Sequence, residues 1–246
     1  MQEADDNLLL LSHGNGGSAF VPSRIGDLTL WIEGGFLTGY ADGDTITAWP
    51  DHGLLGNNFS GPHGPTYRAV AINGLPAAEF DGVLEVLPGP ALSGLITSSA
   101  YTLFAVATIN TILTNDNTSY ANAAILSDDG GGYFGLHLRN SPTRAVAYNW
   151  NGGDQSVILP FSLGVPTLFT QQHGGNVLSL AINGGTPGTI ASGNTDDLSS
   201  PVMLGQGSGA MRPAMMFSAV IIYNRAIDAG DVSKVETYLK HKYAIS

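Results

Sequence analysis

The chain contains no cysteine in its 246 residues, which excludes a disulfide framework and any thiolate metal site. Basic residues are scarce. Lys and Arg total 9 against 20 Asp and Glu, a formal charge of -11, and this balance argues against nucleic acid or an anionic membrane as partner. Basic partners and bound cations stay open. No apolar run approaches the length of a membrane span. The first residues do not read as a leader: the first seven, MQEADDN, are acidic where a secretory n-region is basic, and residues 8–11 are too short for an apolar h-region. The expectation is a chain that is kept in the cytosol, leaves by lysis or a dedicated route, or has had a leader removed. No fixed-period repeat occurs, which speaks against a propeller or solenoid.

Hydrophobic residues reach 43%, charged residues only 12%, and there are 33 Gly and 13 Pro. That composition suits many short strands joined by turns around a sizeable core. Length alone allows one large β domain or two small ones. Strand-like runs fall at 28–32, 67–72, 77–80, 83–87, 101–109, 123–126, 133–138, 144–150, 156–159, 167–172, 177–182, 202–205 and 216–223, with turn dipeptides such as Asn73-Gly74 and Asp81-Gly82 between them. Their spacing of roughly 8 to 12 residues is that of a sandwich. The run 101–109 is the longest and is expected to be central; 216–223 is β-branched and apolar almost throughout, which suits a strand covered on both faces. Residues 51–65 form the longest aperiodic segment. The one convincing helix lies at the end, with Asp228 at the N-cap, Asp231 three residues on, and Val232, Val235 and Leu239 at helical spacing. Residues 1–21 are expected to be an N-terminal arm or an edge strand, ahead of a sandwich over 22–246.

Several segments carry a resemblance. FSAVIIYNRAI (217–227) followed by VETYLKHKY (235–243), LTLWI (28–32), AWPD (48–51), NGLPAAEFDG (73–82) and VLSLAING (177–184) are similar to runs of laminin-G-like, concanavalin-A-type jelly-roll domains. Glu33 or Gly34 departs from that pattern, standing where the family's L-W-x-D run has its Asp after the first Trp. The resemblance covers about 28–245 and implies a single all-β domain: a two-sheet antiparallel jelly-roll sandwich with one short C-terminal helix. Trp31 and Trp49 are expected in the core. For such a domain without a leader, the resemblance implies a non-catalytic binding or structural protein, most often a bacteriophage virion component such as a capsid decoration or tail-associated protein, assembled in the host cytoplasm. A capsid or tail subunit would then be the partner, docked by the 1–21 arm or by the surface holding Met203, Met211, Met215 and Met216, unless these methionines simply fill the core near the last strand, with symmetric homo-oligomers expected. The alternative is an extracellular, lectin-like carbohydrate-binding module.

No catalytic constellation stands out. A glycoside hydrolase needs two carboxylates facing across a groove; the Glu-x-Asp-x-x-Glu run of related glucanases is absent, and in Glu79, Asp81 and Glu85 the middle acid reads as a turn closer before Gly82. There is no Gly-x-Ser-x-Gly elbow and no His-Glu-x-x-His pair, and the six histidines are scattered. For sugar binding, Tyr148, Asn149, Trp150, Asn151 and Asp154 combine an aromatic stacking face with amides and an acid at a strand end; Trp150 as a core residue is the alternative. Calcium, which family members hold at the sandwich rim, has its candidates in Asp128 and Asp129 and in Asp196 and Asp197, against the reading of solvated turns.

Overall fold

The structure, a computed structural model, describes residues 20–246 apart from 97–99, 113–122, 129–133, 141–142, 151–152, 194–198 and 208–210. Among the described residues two antiparallel sheets face each other, and strands are numbered here in chain order. The first sheet contains β1 (Leu28–Glu33), β4 (Thr66–Ile72), β5 (Leu75–Asp81), β7 (Tyr101–Ile112), β12 (Pro166–Gly174), β13 (Val177–Ile182), β14 (Gly188–Ala191) and β16 (Pro213–Tyr223). Its order is β14-β13-β12-β7-β16-β5-β4, with β1 taking over from β5 along the last half of β16. The second sheet runs β11 (Asp154–Pro160), β10 (Thr143–Trp150), β9 (Phe134–Asn140), β8 (Ala123–Asp128), β15 (Pro201–Leu204) and β6 (Leu87–Ala91). A short ribbon of β2 (Ala48–Trp49) and β3 (Phe59–Ser60) stands apart, and one helix, α1 (Ala229–Tyr243), closes the chain. The all-β sandwich with a terminal helix is what the strand spacing predicts.

The alternation of side chains decides what each face buries. On β7, Leu103, Ala105, Ala107 and Ile109 point between the sheets, where they meet Leu136, Leu138, Ala145, Val202 and Val220. Phe104 and Val106 point the other way and join Ile221, Tyr223, Val235 and Leu239 under the helix. The first sheet is thus covered on both sides, which is why β7 and β16 read as near-continuous apolar runs. Each of the large side chains shut off here contributes about 1.5–3 kcal/mol relative to exposure.

Two positions depart from expectation. The run at 83–87 is mostly turn, and the strand that follows is β6, LPGPA; two prolines hid it, and they are tolerated because β6 is the edge of its sheet. Trp49 is fully buried, but Trp31 is only half-buried. Its indole stands edge-on to Phe36 at 5.2 Å, on the helix side of the first sheet. Of the proposed arm, residues 1–19 lie outside the described residues, while Phe20 meets Tyr238 edge-on at 6.1 Å.

A candidate binding face on the second sheet

Strand parity makes the outer face of the second sheet. Because Phe134, Leu136 and Leu138 of β9 point into the core, Gly135, His137 and Arg139 point outward; on β10 the inward Ala145 and Ala147 leave Arg144, Val146, Tyr148 and Trp150 outside. Register then sets Tyr148 opposite Ser156 and Trp150 opposite Asp154 on β11.

Tyr148 and Asp154 meet: the phenol donates to Asp154 Oδ1 at 2.8 Å. Trp150 is half-buried at the same end of β10, and Asp154 is exposed. Tyr148 is 2% exposed and stacks on His137, ring centroids 5.2 Å apart and planes at 21°. The imidazole lies across Gly135, where a Cβ would come within 2.3 Å of its Nε2. Neither ring nitrogen makes a hydrogen bond of good geometry among the described residues. Burial pushes His137 down to about 4; the Phe134 backbone opposes this and the Arg139 charge adds to it.

Asn149 parts from that group. It faces inward, is fully buried, and donates through Nδ2 to Ser192 Oγ at 2.9 Å and to the Gly193 carbonyl at 2.8 Å, which ties β10 to the end of β14. Asn151 lies outside the described residues. Of the five residues singled out for sugar contact, Tyr148, Trp150 and Asp154 therefore share one face, and Asn149 serves the interior.

Asp128 ends β8, buried, with Oδ1 accepting the Phe134 N–H at 2.8 Å. Asp129, Asp196 and Asp197 lie outside the described residues. Calcium takes six to eight oxygen ligands, whereas no group of three or more potential ligands gathers among the described residues.

The remaining acids have structural partners. Asp81 Oδ1 accepts the N–H groups of Val83, Leu84 and Glu85 and so closes its turn; burial opposes its ionisation, but these bonds outweigh it and hold the carboxyl below its ordinary range. Glu79 pairs with Arg68. Burial, with the Asp81 charge behind it, raises the Glu85 carboxyl, which accepts from Asp81 N and Thr66 Oγ1. His173 lies 3.1 Å through Nε2 from the Ser192 carbonyl and stacks with Tyr101. Met215 and Met203 are buried in the sandwich.

In the sequence Glu33 stands out only as a departure from the family pattern, with no sign of its partners. Fully buried, it accepts from Trp31 Nε1 at 2.7 Å, from Tyr238 hydroxyl at 2.8 Å and from Lys242 Nζ. Burial first, then the Glu33 charge, raises the Tyr238 and Tyr243 hydroxyls above their ordinary range, so both remain donors. The only signal was the acid two residues after Trp31, and its helix partners are about 205 residues away in sequence.

No protein-family model matches the chain, and neither does any curated protein. Solved structures do. The binding domain of Paraclostridial mosquitocidal protein 1 superposes with a TM-score of 0.65 at 11% identity, covering 89% of this chain and 53% of that one. Trypanosoma rangeli sialidase in complex with sialic acid gives 0.60 at 14% identity over 89% and 34%, and the receptor binding domain of botulinum neurotoxin type G gives 0.58 at 12% over 87% and 51%. The chain thus spans about half the length of the two toxin domains and about a third of the sialidase. At such identities the likeness is one of fold: this chain is similar to the β-sandwich of those toxin binding domains and to part of the sialidase.

Proposed function

We propose that the chain is a non-catalytic, lectin-like binding domain that takes a carbohydrate at the β10–β11 end of the second sheet. The observation that carries this reading is the placing of Trp150 across from Asp154, whose carboxylate is held by the Tyr148 hydroxyl. An aromatic face for the apolar side of a sugar ring beside an oriented acid for its hydroxyls is the chemistry of sugar recognition. Similarity in fold to toxin binding domains supports a binding role. The test is a glycan array with the wild-type chain and Trp150→Ala. Binding to a defined set of sugars, lost in the variant while its melting temperature is retained, is the expected result; an array with no hits sinks the reading.

A second reading keeps the sandwich but makes the partner a protein, such as a capsid or tail subunit of a bacteriophage particle. It is favoured by Leu54 and Leu55, 94% and 59% exposed. Their loop is held firmly, since Asp51 accepts the N–H groups of Trp31, Gly53 and Asn57. Apolar side chains on a fixed backbone suit a contact surface. Recovery of the chain from purified particles, reduced by Leu54→Asp, is the outcome this reading requires.

A further inference from the structure

At the opposite end of the same outer face, Arg139 of β9 and Arg144 of β10 stand directly across from each other in register. Such partners hold their Cβ atoms roughly 4.5–5.5 Å apart, where like charges repel. In a chain with 9 Lys and Arg and a charge of -11, the juxtaposition is unexpected. Four of the other cations have carboxylates: Arg68 has Glu79, Arg225 has Asp27, Lys234 has Asp231 and Lys242 has Glu33, while Arg212 and Lys240 donate to carbonyl oxygens of Val83 and Asn183. Neither Arg139 nor Arg144 has a carboxylate among the described residues, and Arg139 Nε is buried without a hydrogen-bond partner. The neighbours in register on this face, Pro160, Val146 and His137, bring no negative charge.

The geometry points to an anion site: Arg139 and Arg144 together clamp an oxyanion, the carboxylate or sulfate of an acidic saccharide. Two adjacent guanidinium forks match the oxygens of such a group and relieve the repulsion between the side chains. The overall charge selects against polyanions, so the ligand bears few acidic groups on an otherwise neutral frame. Arg144 lies six residues along β10 from Trp150, about 20 Å, so the anion and the stacked sugar belong to separate ends of the face. The anion site stands on the arginines alone; the saccharide as its carrier rests on the sugar-binding reading.

The experiment is thermal unfolding of the full chain in sodium sulfate and in sodium chloride of equal ionic strength, for wild type and Arg144→Gln. Bound to the folded state only, sulfate raises the wild-type melting temperature saturably, whereas its general exclusion from protein surfaces acts on both chains alike. The expected result is a sulfate shift present in wild type and absent in the variant, with the variant unchanged or more stable in chloride because the repulsion is gone. Equal shifts overturn the site, and so does a marked loss of stability in chloride. Calorimetric titration with uronic-acid and O-sulfated oligosaccharides, against their neutral parents, then tests the carrier. Roughly tenfold weaker binding of the acidic ligand by Arg144→Gln, the worth of one charge-assisted bond, supports it; no preference for acidic over neutral sugars overturns it. Trp150→Ala separates the two readings, since loss of all sugar binding with the sulfate shift intact leaves the anion site standing.

Discussion

Glu33 and His137 are the two residues whose burial has the largest consequences. Glu33 gathers Trp31, Tyr238 and Lys242, and truncating it to Ala leaves the Lys242 ammonium, 29% exposed, without its counter-ion. Breaking such a buried pair costs roughly 3 kcal/mol. Urea denaturation of Glu33→Ala is expected to show a loss of that order with helix α1 loosened, and a change below about 1 kcal/mol would mean the network adds little. His137 behaves differently because its folded state resists protonation. Its ordinary value near 6.5 falls to about 4, so from pH 6.5 downward the unfolded chain binds a proton that the folded chain refuses. Stability is complete above 6.5, declines as pH falls, and levels off below about 4, a total on the order of 3 kcal/mol. His137→Phe is expected to flatten that part of the pH profile of unfolding, and an unchanged profile would contradict the assignment. Little of this was legible beforehand: a lone histidine on a strand can be read as hydrogen-bonded within the sandwich, and only the parity of β9 with the ring lying across Gly135 shows it buried, with no hydrogen bond of good geometry among the described residues.

At the scale of elements, the last strand and helix were the most readable part of the chain, because their signals are local. Asp228 accepts the Asp231 N–H at 2.8 Å, as the N-cap pattern predicts, and Val235 and Leu239 are buried together with Tyr243. Asp228→Ala is expected to cost about 1 kcal/mol, read as a lower melting temperature with sugar binding unaffected; a larger loss would mean that Asp228 does more than cap. The edges were less readable. Strand β14 is four residues with mostly exposed side chains, so no apolar period marks it, and β6 carries two prolines that argue against a strand unless its edge position is known. The cluster at the end of β10 was legible as a composition and illegible as a geometry. Alternation along the strand sends Tyr148 and Trp150 to one side and Asn149 to the other, where it bonds residues 192 and 193.

For the whole molecule, α1 is part of the fold and no appendage. It covers Phe104, Val106, Ile221 and Tyr223 on the outside of the first sheet, so a chain ending at residue 228 would expose a contiguous apolar surface of the kind that causes association. Such a truncation is expected to give aggregated protein in size-exclusion chromatography, and a soluble, cooperatively unfolding monomer would contradict the role given to the helix. On the outer face of the second sheet Val146, His137 and Tyr148 are buried, so the anion and binding proposals sit at its two ends, with the half-buried Arg139 and Arg144 and with the half-buried Trp150 beside the exposed Asp154.

By itself the amino-acid order determined the sandwich, its central strand and the terminal helix, since alternation, turn dipeptides and caps each act within a few residues along the chain. Which side chains meet was decided only by the tertiary structure. Register between strands set Arg139 against Arg144 and Trp150 against Asp154, and packing of the helix carried Lys242 to Glu33 across 209 positions. Contacts of that kind depend on how two surfaces align in space, and no local pattern of residues encodes that alignment.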